Sequence, residues 1–176
     1  MPASLTSSGI RAKHAAYVIV DKYTSGSDRI VFRRFAREWQ FALMAPVDPL
    51  LPQQRLADPA AAEAFFLALA DEAFEVAAFA YLDANQQLLG LRHARSTSAD
   101  RLDLPIRAIA ADALAFDAVG VVMAHNHPSG DCTPSAADRE ATRMLARALD
   151  GLGIRLLDHL VISRSGVASF RALGLL

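Results

Sequence analysis

The chain has 176 residues, of which 53% are hydrophobic, so it is long enough for one sizeable core and short for two full domains. Its 18 Lys and Arg residues nearly balance 19 Asp and Glu residues, and the net charge of -1 gives no general attraction to nucleic acid. Association with DNA would therefore need a local basic patch. The longest apolar runs are too short to cross a bilayer, so no membrane contact is expected.

The cysteine content and the first residues indicate the compartment. Cys132 is the single cysteine, which excludes an intrachain disulfide and any zinc site built on a cysteine pair. The first residues show no secretory pattern, and we therefore expect a cytoplasmic protein. Nothing in the sequence indicates the oligomeric state.

Residues 1–57 form an N-terminal extension whose fold the sequence does not indicate. Within it, residues 29–41 alternate charged and aromatic side chains and fit a strand pair, a helix or an adhesive surface. The Pro-rich stretch 46–54 predicts a linker or a turn. We expect the folded domain to occupy residues 58–176.

The domain begins with a helix and a hairpin. Asp58 followed by Pro59 is an N-cap and first-turn pair, which predicts a helix through residue 70. Residues 75–82 are rich in strand-forming side chains, and turn residues separate them from residues 88–91. This pattern predicts a β-hairpin.

Helices and strands then alternate to the end of the chain. Residues 103–105 open a second helix, and the unbroken apolar run 119–124 predicts a central strand covered on both faces. A third helix is predicted to end at Gly151 and Gly153, before a strand over 154–163. The apolar stripes predicted for the two helices are Ile106, Ile109, Ala110, Ala113 and Leu114, then Ala137, Ala141, Met144, Leu145, Ala148, Leu149 and Leu152. This order favours an α/β fold, of the mixed α+β kind, with a central mixed sheet flanked by helices.

A pair of histidines ends the predicted central strand. His125 and His127 stand two residues apart, so their side chains leave a strand on the same side and can converge on one ion. A Pro- and Gly-containing loop then turns the chain back, and Asp138 in the first turns of the next helix can supply a third ligand. This donor set suits Zn²⁺ with a fourth position for water, whose pKa falls to about 7 on zinc.

Such a site also needs a general base near the water. Glu75 and Glu72 are the candidates, because both stand next to the first strand of the hairpin. We prefer Glu75, since it begins the alternating segment and can project from the sheet edge towards the histidines. Glu72 fits the end of the preceding helix better.

The spacing His-x-His, seven residues, Ser, two residues, Asp resembles the signature of JAMM/MPN metallopeptidases. HNHPSGD, followed by PS and D and then by LGIRLLDHLVIS, resembles the RadC-like JAB domain of bacteria over residues 58–176. The resemblance implies a JAB/MPN fold with the layers of a cytidine deaminase, a zinc ion on His125, His127 and Asp138, Glu75 as the residue that activates water, and Ser135 as a stabiliser of the tetrahedral intermediate.

The resemblance implies a zinc-dependent hydrolase of peptide or isopeptide bonds with a protein or peptide substrate. The family name suggests a link to DNA repair, but residues 1–57 do not resemble the DNA-binding region that usually precedes this domain. The alternative is a non-catalytic metal-binding accessory or partner-docking module in DNA repair. A base deaminase would need a downstream Cys-x-x-Cys, and an HNH nuclease spreads its motif over tens of positions, so neither fits.

Several motif residues also have structural interpretations. Ser135 and Asp138 match a capping box, with Thr133 and Pro134 as another cap and first-turn pair. Asn126 is interpreted as a local hydrogen-bonding residue. Asp158 and His159 favour structural pairing or support of the ligands over catalysis.

Overall fold

A six-stranded sheet organises the chain in the computed structural model, which describes residues 44–46, 54–95 and 104–176. The strand order is β1-β3-β2-β4-β5-β6; β4 and β5 run parallel, and every other neighbouring pair is antiparallel. The predicted mixed sheet is therefore confirmed. The strands are β1 (Met44–Pro46), β2 (Val76–Leu82), β3 (Leu88–Arg95), β4 (Gly120–Asn126), β5 (Arg155–Ser163) and β6 (Gly166–Ser169).

Helices cover both faces of the sheet. On one face α2 and α3 pack on β2 and β4 through Ile109, Leu145 and Met123. On the other face α1 and a short 3-10 helix pack on the same strands through Phe66 and Leu69. The helices are α1 (Pro59–Phe66), the 3-10 helix (Leu67–Asp71), α2 (Ile106–Ala115) and α3 (Ala136–Asp150). Within the described ranges, none of the helices has both the length and the apolar character required to cross a membrane.

The first helix and the hairpin agree with the sequence prediction except at their ends. Asp58 caps α1 as predicted, with its Oδ1 accepting from the Ala61 amide at 2.8 Å. The α-helix ends at Phe66, and the chain continues as a 3-10 helix, so the prediction of one helix through residue 70 was wrong in its last turn. The hairpin is confirmed, and its second strand runs on to Arg95.

The predicted apolar stripes were too wide. Leu114 of α2 is 58% exposed, whereas Asp112 is buried on the inner face and pairs with Arg92 and Tyr81. In α3, Met144 is 41% exposed. Leu152 lies beyond the helix and is also exposed. The buried side of α3 instead includes the polar residues Asp138 and Thr142.

The central strand and the strand after α3 are confirmed, with β4 running on through His125 to Asn126. Gly153, at φ +73, lets the chain leave α3 and enter β5, because that left-handed conformation favours glycine. The short strand β6 was not predicted. Asp103 and most of residues 1–57, including 29–41 and 47–53, lie outside the described residues.

Candidate metal centre

The end of β4 brings two imidazoles together. His125 is fully buried inside β4, and His127 follows the strand, where its backbone amide donates to the Ile162 carbonyl of β5 at 2.8 Å. This bond prolongs the parallel pairing beyond the strand, so the alternation of side chains persists. The two Nε2 atoms lie 3.0 Å apart.

The start of α3 adds a carboxylate to the pair. Asp138 Oδ1 lies 3.2 Å from His125 Nε2, and its Oδ2 lies 3.4 Å from His127 Nε2. All three ligand atoms fall within 4.8 Å of one another. Two ligands of one tetrahedral zinc ion stand roughly 3.3 Å apart, given zinc-to-ligand distances of about 2.0 to 2.1 Å. The donor set present therefore fits the ion that the sequence predicts.

The loop after β4 orients His127 for this role. Its Nδ1 lies 2.7 Å from the carbonyl oxygen of Asp131, which can only accept a hydrogen bond. Nδ1 therefore carries a proton and donates it, which turns Nε2 towards Asp138 and leaves Nε2 as the atom that would bind a metal. A hydrogen bond of this kind to the second ring nitrogen is typical of a metal-ligating histidine.

The cluster attracts positive charge. Burial would raise the pKa of Asp138, but hydrogen bonds with His125 and His127 outweigh burial and hold the pKa of this carboxyl well below its usual range. The hydrogen bond with Asp138 raises the pKa of His127, against an opposing effect of burial. A proton and a metal cation would therefore compete for the same ligands.

Glu75 lies beside the cluster. β2 pairs with β4 so that Ala77 is opposite His125, and Glu75 precedes Ala77 by two residues, just before the start of β2. Burial raises the pKa of Glu75, while His125 and His127 act to lower it and Asp138 raises it further. The structure thus places the preferred base within electrostatic reach of all three predicted ligands. Glu72 stands at the end of the 3-10 helix, as the sequence predicted.

Ser135 is the N-cap of α3. Its Oγ accepts from the Asp138 amide at 3.1 Å, and Asp138 Oδ2 accepts from the Ser135 amide at 2.8 Å, which completes a capping box. The capping interpretation is confirmed. The capping box also holds the Asp138 carboxylate in its orientation towards the histidines. The Ser135 hydroxyl proton is not used in the cap, and the residue is exposed.

Asn126 has a role that the sequence indicated only in outline. Its Oδ1 accepts from the Val76 amide at 2.8 Å, and its Nδ2 donates to the carbonyls of Glu72 and Phe74 at 3.2 and 3.1 Å. Asn126 therefore ties the segment that carries Glu75 to the strand that carries His125. The interpretation as a hydrogen-bonding residue is confirmed, but its partners are some fifty positions away in sequence.

Asp158 and His159 have different roles, although they are neighbours in the sequence. Asp158 accepts hydrogen bonds from Ser169 Oγ at 2.6 Å and from the Arg171 amide at 3.1 Å, so it anchors the last residues of the chain. His159 points into the site and lies 2.7 Å from His125 Nδ1. Burial lowers the pKa of His159, and His125 lowers it further. No short sequence pattern relates His159 to the ligands.

Comparison with known proteins agrees with this architecture. The family model described as the RadC-like JAB domain matches residues 56–175. Such a match, on a mixed sheet with the histidine and aspartate cluster, defines a domain of the JAMM superfamily. More narrowly, the chain belongs to the RadC-like JAB domain family.

Three relatives are similar to most of the domain. A UPF0758 protein of Cupriavidus pinatubonensis is 42% identical over 116 residues, covering 65% of this chain and 51% of the relative. One of Bordetella petrii is 36% identical over 138 residues, covering 78% and 61%. One of Thiobacillus denitrificans is 37% identical over 120 residues, covering 68% and 54%. The chain thus spans about half the length of the curated relatives that it matches.

Proposed function

We propose that this protein is a zinc-dependent hydrolase of the JAMM type that cleaves peptide or isopeptide bonds. The observation that carries the proposal is the convergence of His125, His127 and Asp138, whose ligand atoms lie within 4.8 Å of one another. Two imidazoles and one carboxylate are the donor set of a catalytic zinc site that keeps a position open. Family membership supports the same class of chemistry.

The three ligands would hold the ion, and the surrounding residues would supply the rest of the chemistry. Zinc in this position would supply a Lewis acid that lowers the pKa of water to about 7. Asn126 and the capping box keep Glu75 and Asp138 in place through hydrogen bonds of 2.8 to 3.2 Å.

Glu75 is the proposed general base. Its carboxylate lies beside the three proposed ligands, and a carboxylate placed next to the attacking water can both accept and return a proton. Glu75 takes the proton from the attacking water as the new C–O bond forms at the substrate carbonyl. It then delivers that proton to the leaving nitrogen as the C–N bond breaks.

Ser135 is proposed to act on the substrate carbonyl. Its Oγ accepts from the Asp138 amide, which leaves its own hydrogen free to donate. A donor at an exposed helix N-terminus can stabilise the negative charge that develops on the carbonyl oxygen.

The test combines metal analysis with turnover. Zinc per chain is measured by elemental analysis of the purified protein, and hydrolysis is measured on a panel of peptides and isopeptide-linked substrates. We expect one zinc per chain. Glu75→Gln should keep the zinc and lose about 10²- to 10⁴-fold in kcat, the usual contribution of general acid–base catalysis.

The matched control is Glu72→Gln, which removes a neighbouring carboxylate at the end of the 3-10 helix. It should retain both zinc and turnover. A folded wild-type protein that takes up no zinc would refute the proposal, and wild-type rates for Glu75→Gln would refute the assigned base. Stoichiometric zinc without turnover on any substrate would instead support the non-catalytic docking module.

A further inference from the structure

The ring of His125 contacts a further buried histidine, His159, that the proposed reaction does not use. His159 is fully buried in β5, and its ring stacks on Phe170 with centroids 4.4 Å apart. Its Nε2 lies 2.7 Å from His125 Nδ1, on the side of the His125 ring away from Asp138. On the far side of His159, Nδ1 lies 2.7 Å from Thr142 Oγ1, a buried hydroxyl of α3.

His125, His159 and Thr142 form a hydrogen-bonded row, and the direction of each hydrogen bond in it follows from Thr142. Thr142 Oγ1 lies 2.6 Å from the Asp138 carbonyl oxygen, which can only accept, so the hydroxyl donates its one proton to that oxygen. Towards His159, the Thr142 oxygen can therefore only accept, and His159 Nδ1 must carry a proton. Because burial favours the neutral form of an imidazole, His159 Nε2 is left as an acceptor.

The tautomer of His125 follows from that of His159. An acceptor at His159 Nε2 requires His125 Nδ1 to donate, since two lone pairs 2.7 Å apart would repel each other. The neutral His125 ring then has its lone pair on Nε2, the atom that faces Asp138 and His127. Three acceptors that face one another at 3.0 to 3.4 Å would repel each other unless a cation lies between them, so this arrangement favours a bound metal. His127 reaches the same tautomer through the carbonyl of Asp131.

We propose that Thr142 and His159 are positioning residues that hold His125 in the Nδ1-protonated tautomer, with Nε2 ready to ligate a metal. The row starts and ends at ligands, because Thr142 is anchored on the backbone of Asp138. Hence the helix that supplies the carboxylate also sets the tautomer of the buried histidine. The inference rests on the proposed function only through the metal and not through hydrolysis.

An irregularity in β5 makes this row possible. Leu156 and His159 both face the α2 and α3 side, although they are three residues apart and strict alternation would put them on opposite faces. The pairing register of β4 with β5 shifts by one residue between Val121 and Val122, so Leu157 is skipped. The extra residue turns His159 towards His125.

The decisive measurement is the tautomer of His159 in the zinc-loaded protein. The chain has 5 histidines, so two-bond ¹H–¹⁵N correlation spectra of histidine-labelled protein are simple to assign. In the zinc-loaded wild type we expect a neutral His159 ring that carries its proton on Nδ1. An Nε2-protonated or doubly protonated His159 would overturn the proposal without any variant.

Thr142→Val keeps the shape of the side chain and removes the hydroxyl. With its acceptor gone, His159 Nδ1 loses its reason to hold the proton, so His159 should change to the Nε2-protonated form and drive His125 to the same change. Zinc affinity, measured by competition with a chelator, should fall by about 10- to 100-fold, the usual effect of losing a hydrogen-bond partner of a metal-ligating side chain. Thr142→Ser should restore both the tautomer and the affinity.

His159→Phe keeps a buried ring against Phe170 and removes the acceptor, so it should weaken zinc to a similar extent. His93→Gln is the control, because His93 pairs with Ala78 on the opposite face of the sheet, and its zinc affinity should equal that of the wild type. Unchanged affinity and tautomer in Thr142→Val and His159→Phe would overturn the proposal while leaving zinc binding intact. A wild type that binds no zinc would refute the proposed function and this proposal together.

Discussion

Asp138 and Ser135 form one capping box, and two substitutions separate its structural part from its metal-binding part. Asp138→Asn keeps a side-chain oxygen that can accept from the Ser135 amide, so the start of α3 remains capped. It removes the negative charge that faces both histidines at 3.2 and 3.4 Å. Ser135→Ala removes the acceptor for the Asp138 amide and leaves the carboxylate in place.

The expected magnitudes differ in kind. Zinc at about 100 times its Kd stabilises the folded protein by about 2.7 kcal/mol. Loss of a hydrogen-bond partner of a metal ligand lowers the metal affinity about 10- to 100-fold, so loss of the ligand itself should lower it at least about 100-fold. At that zinc concentration, the stabilisation of Asp138→Asn falls to about 0.4 kcal/mol or less. Ser135→Ala should keep the full zinc increment and lose about 1 kcal/mol of the free energy of unfolding with or without zinc.

The assay is urea unfolding of each variant, in excess chelator and again at a fixed free zinc concentration. The difference between the two free energies of unfolding is the zinc increment. If Asp138→Asn kept the full increment, Asp138 would not be a ligand. If Ser135→Ala lost the zinc increment, the capping box could not be separated from the metal site, and the separate roles assigned to Ser135 and Asp138 would be wrong.

Three further changes test the surroundings of the site. Asn126→Ala should lower kcat more than zinc affinity, because it frees the segment that carries Glu75 but touches no ligand atom; equal losses would contradict this. Asp112→Ala removes the acceptor of the buried Tyr81 hydroxyl and should cost about 1 to 3 kcal/mol in urea unfolding, and an unchanged free energy of unfolding would argue against this buried hydrogen bond. Burial lowers the pKa of His93 to about 4, so on acidification the unfolded chain, with its ordinary value of 6.5, takes the proton first. Stability is therefore full above pH 6.5 and falls by about 3 kcal/mol as the pH reaches 4. His93→Gln should remove that part of the acid sensitivity, and an unchanged pH profile would speak against it.

Local rules were enough to predict that His125, His127 and Asp138 come together. His125 and His127 share one side of a strand because alternation has a period of two, and the unbroken apolar run before them predicts that strand. The Ser135 and Asp138 spacing predicts a helix start, and the short loop brings that start back to the strand end. Each of these relations spans no more than about a dozen positions, over which covalent geometry leaves few choices.

The outer residues of the site could not be predicted in this way. Glu75 was preferred over Glu72 on position alone, and it is the pairing of β2 with β4, with Ala77 opposite His125, that brings Glu75 near the histidines. The apolar pattern of α2 gave no hint that Asp112 faces inwards, because its partners Arg92 and Tyr81 belong to other strands.

His159 shows most clearly where local reasoning ends. Regular alternation from Leu156 puts its ring on the wrong face, and only the one-residue shift in the pairing of β4 with β5 turns it towards His125. Contacts between side chains close in sequence, such as those across the loop from β4 to α3, can be predicted because short-range geometry is a property of neighbouring residues. The order and register of the strands could be read only from the folded sheet, because they depend on the packing of both of its faces at once.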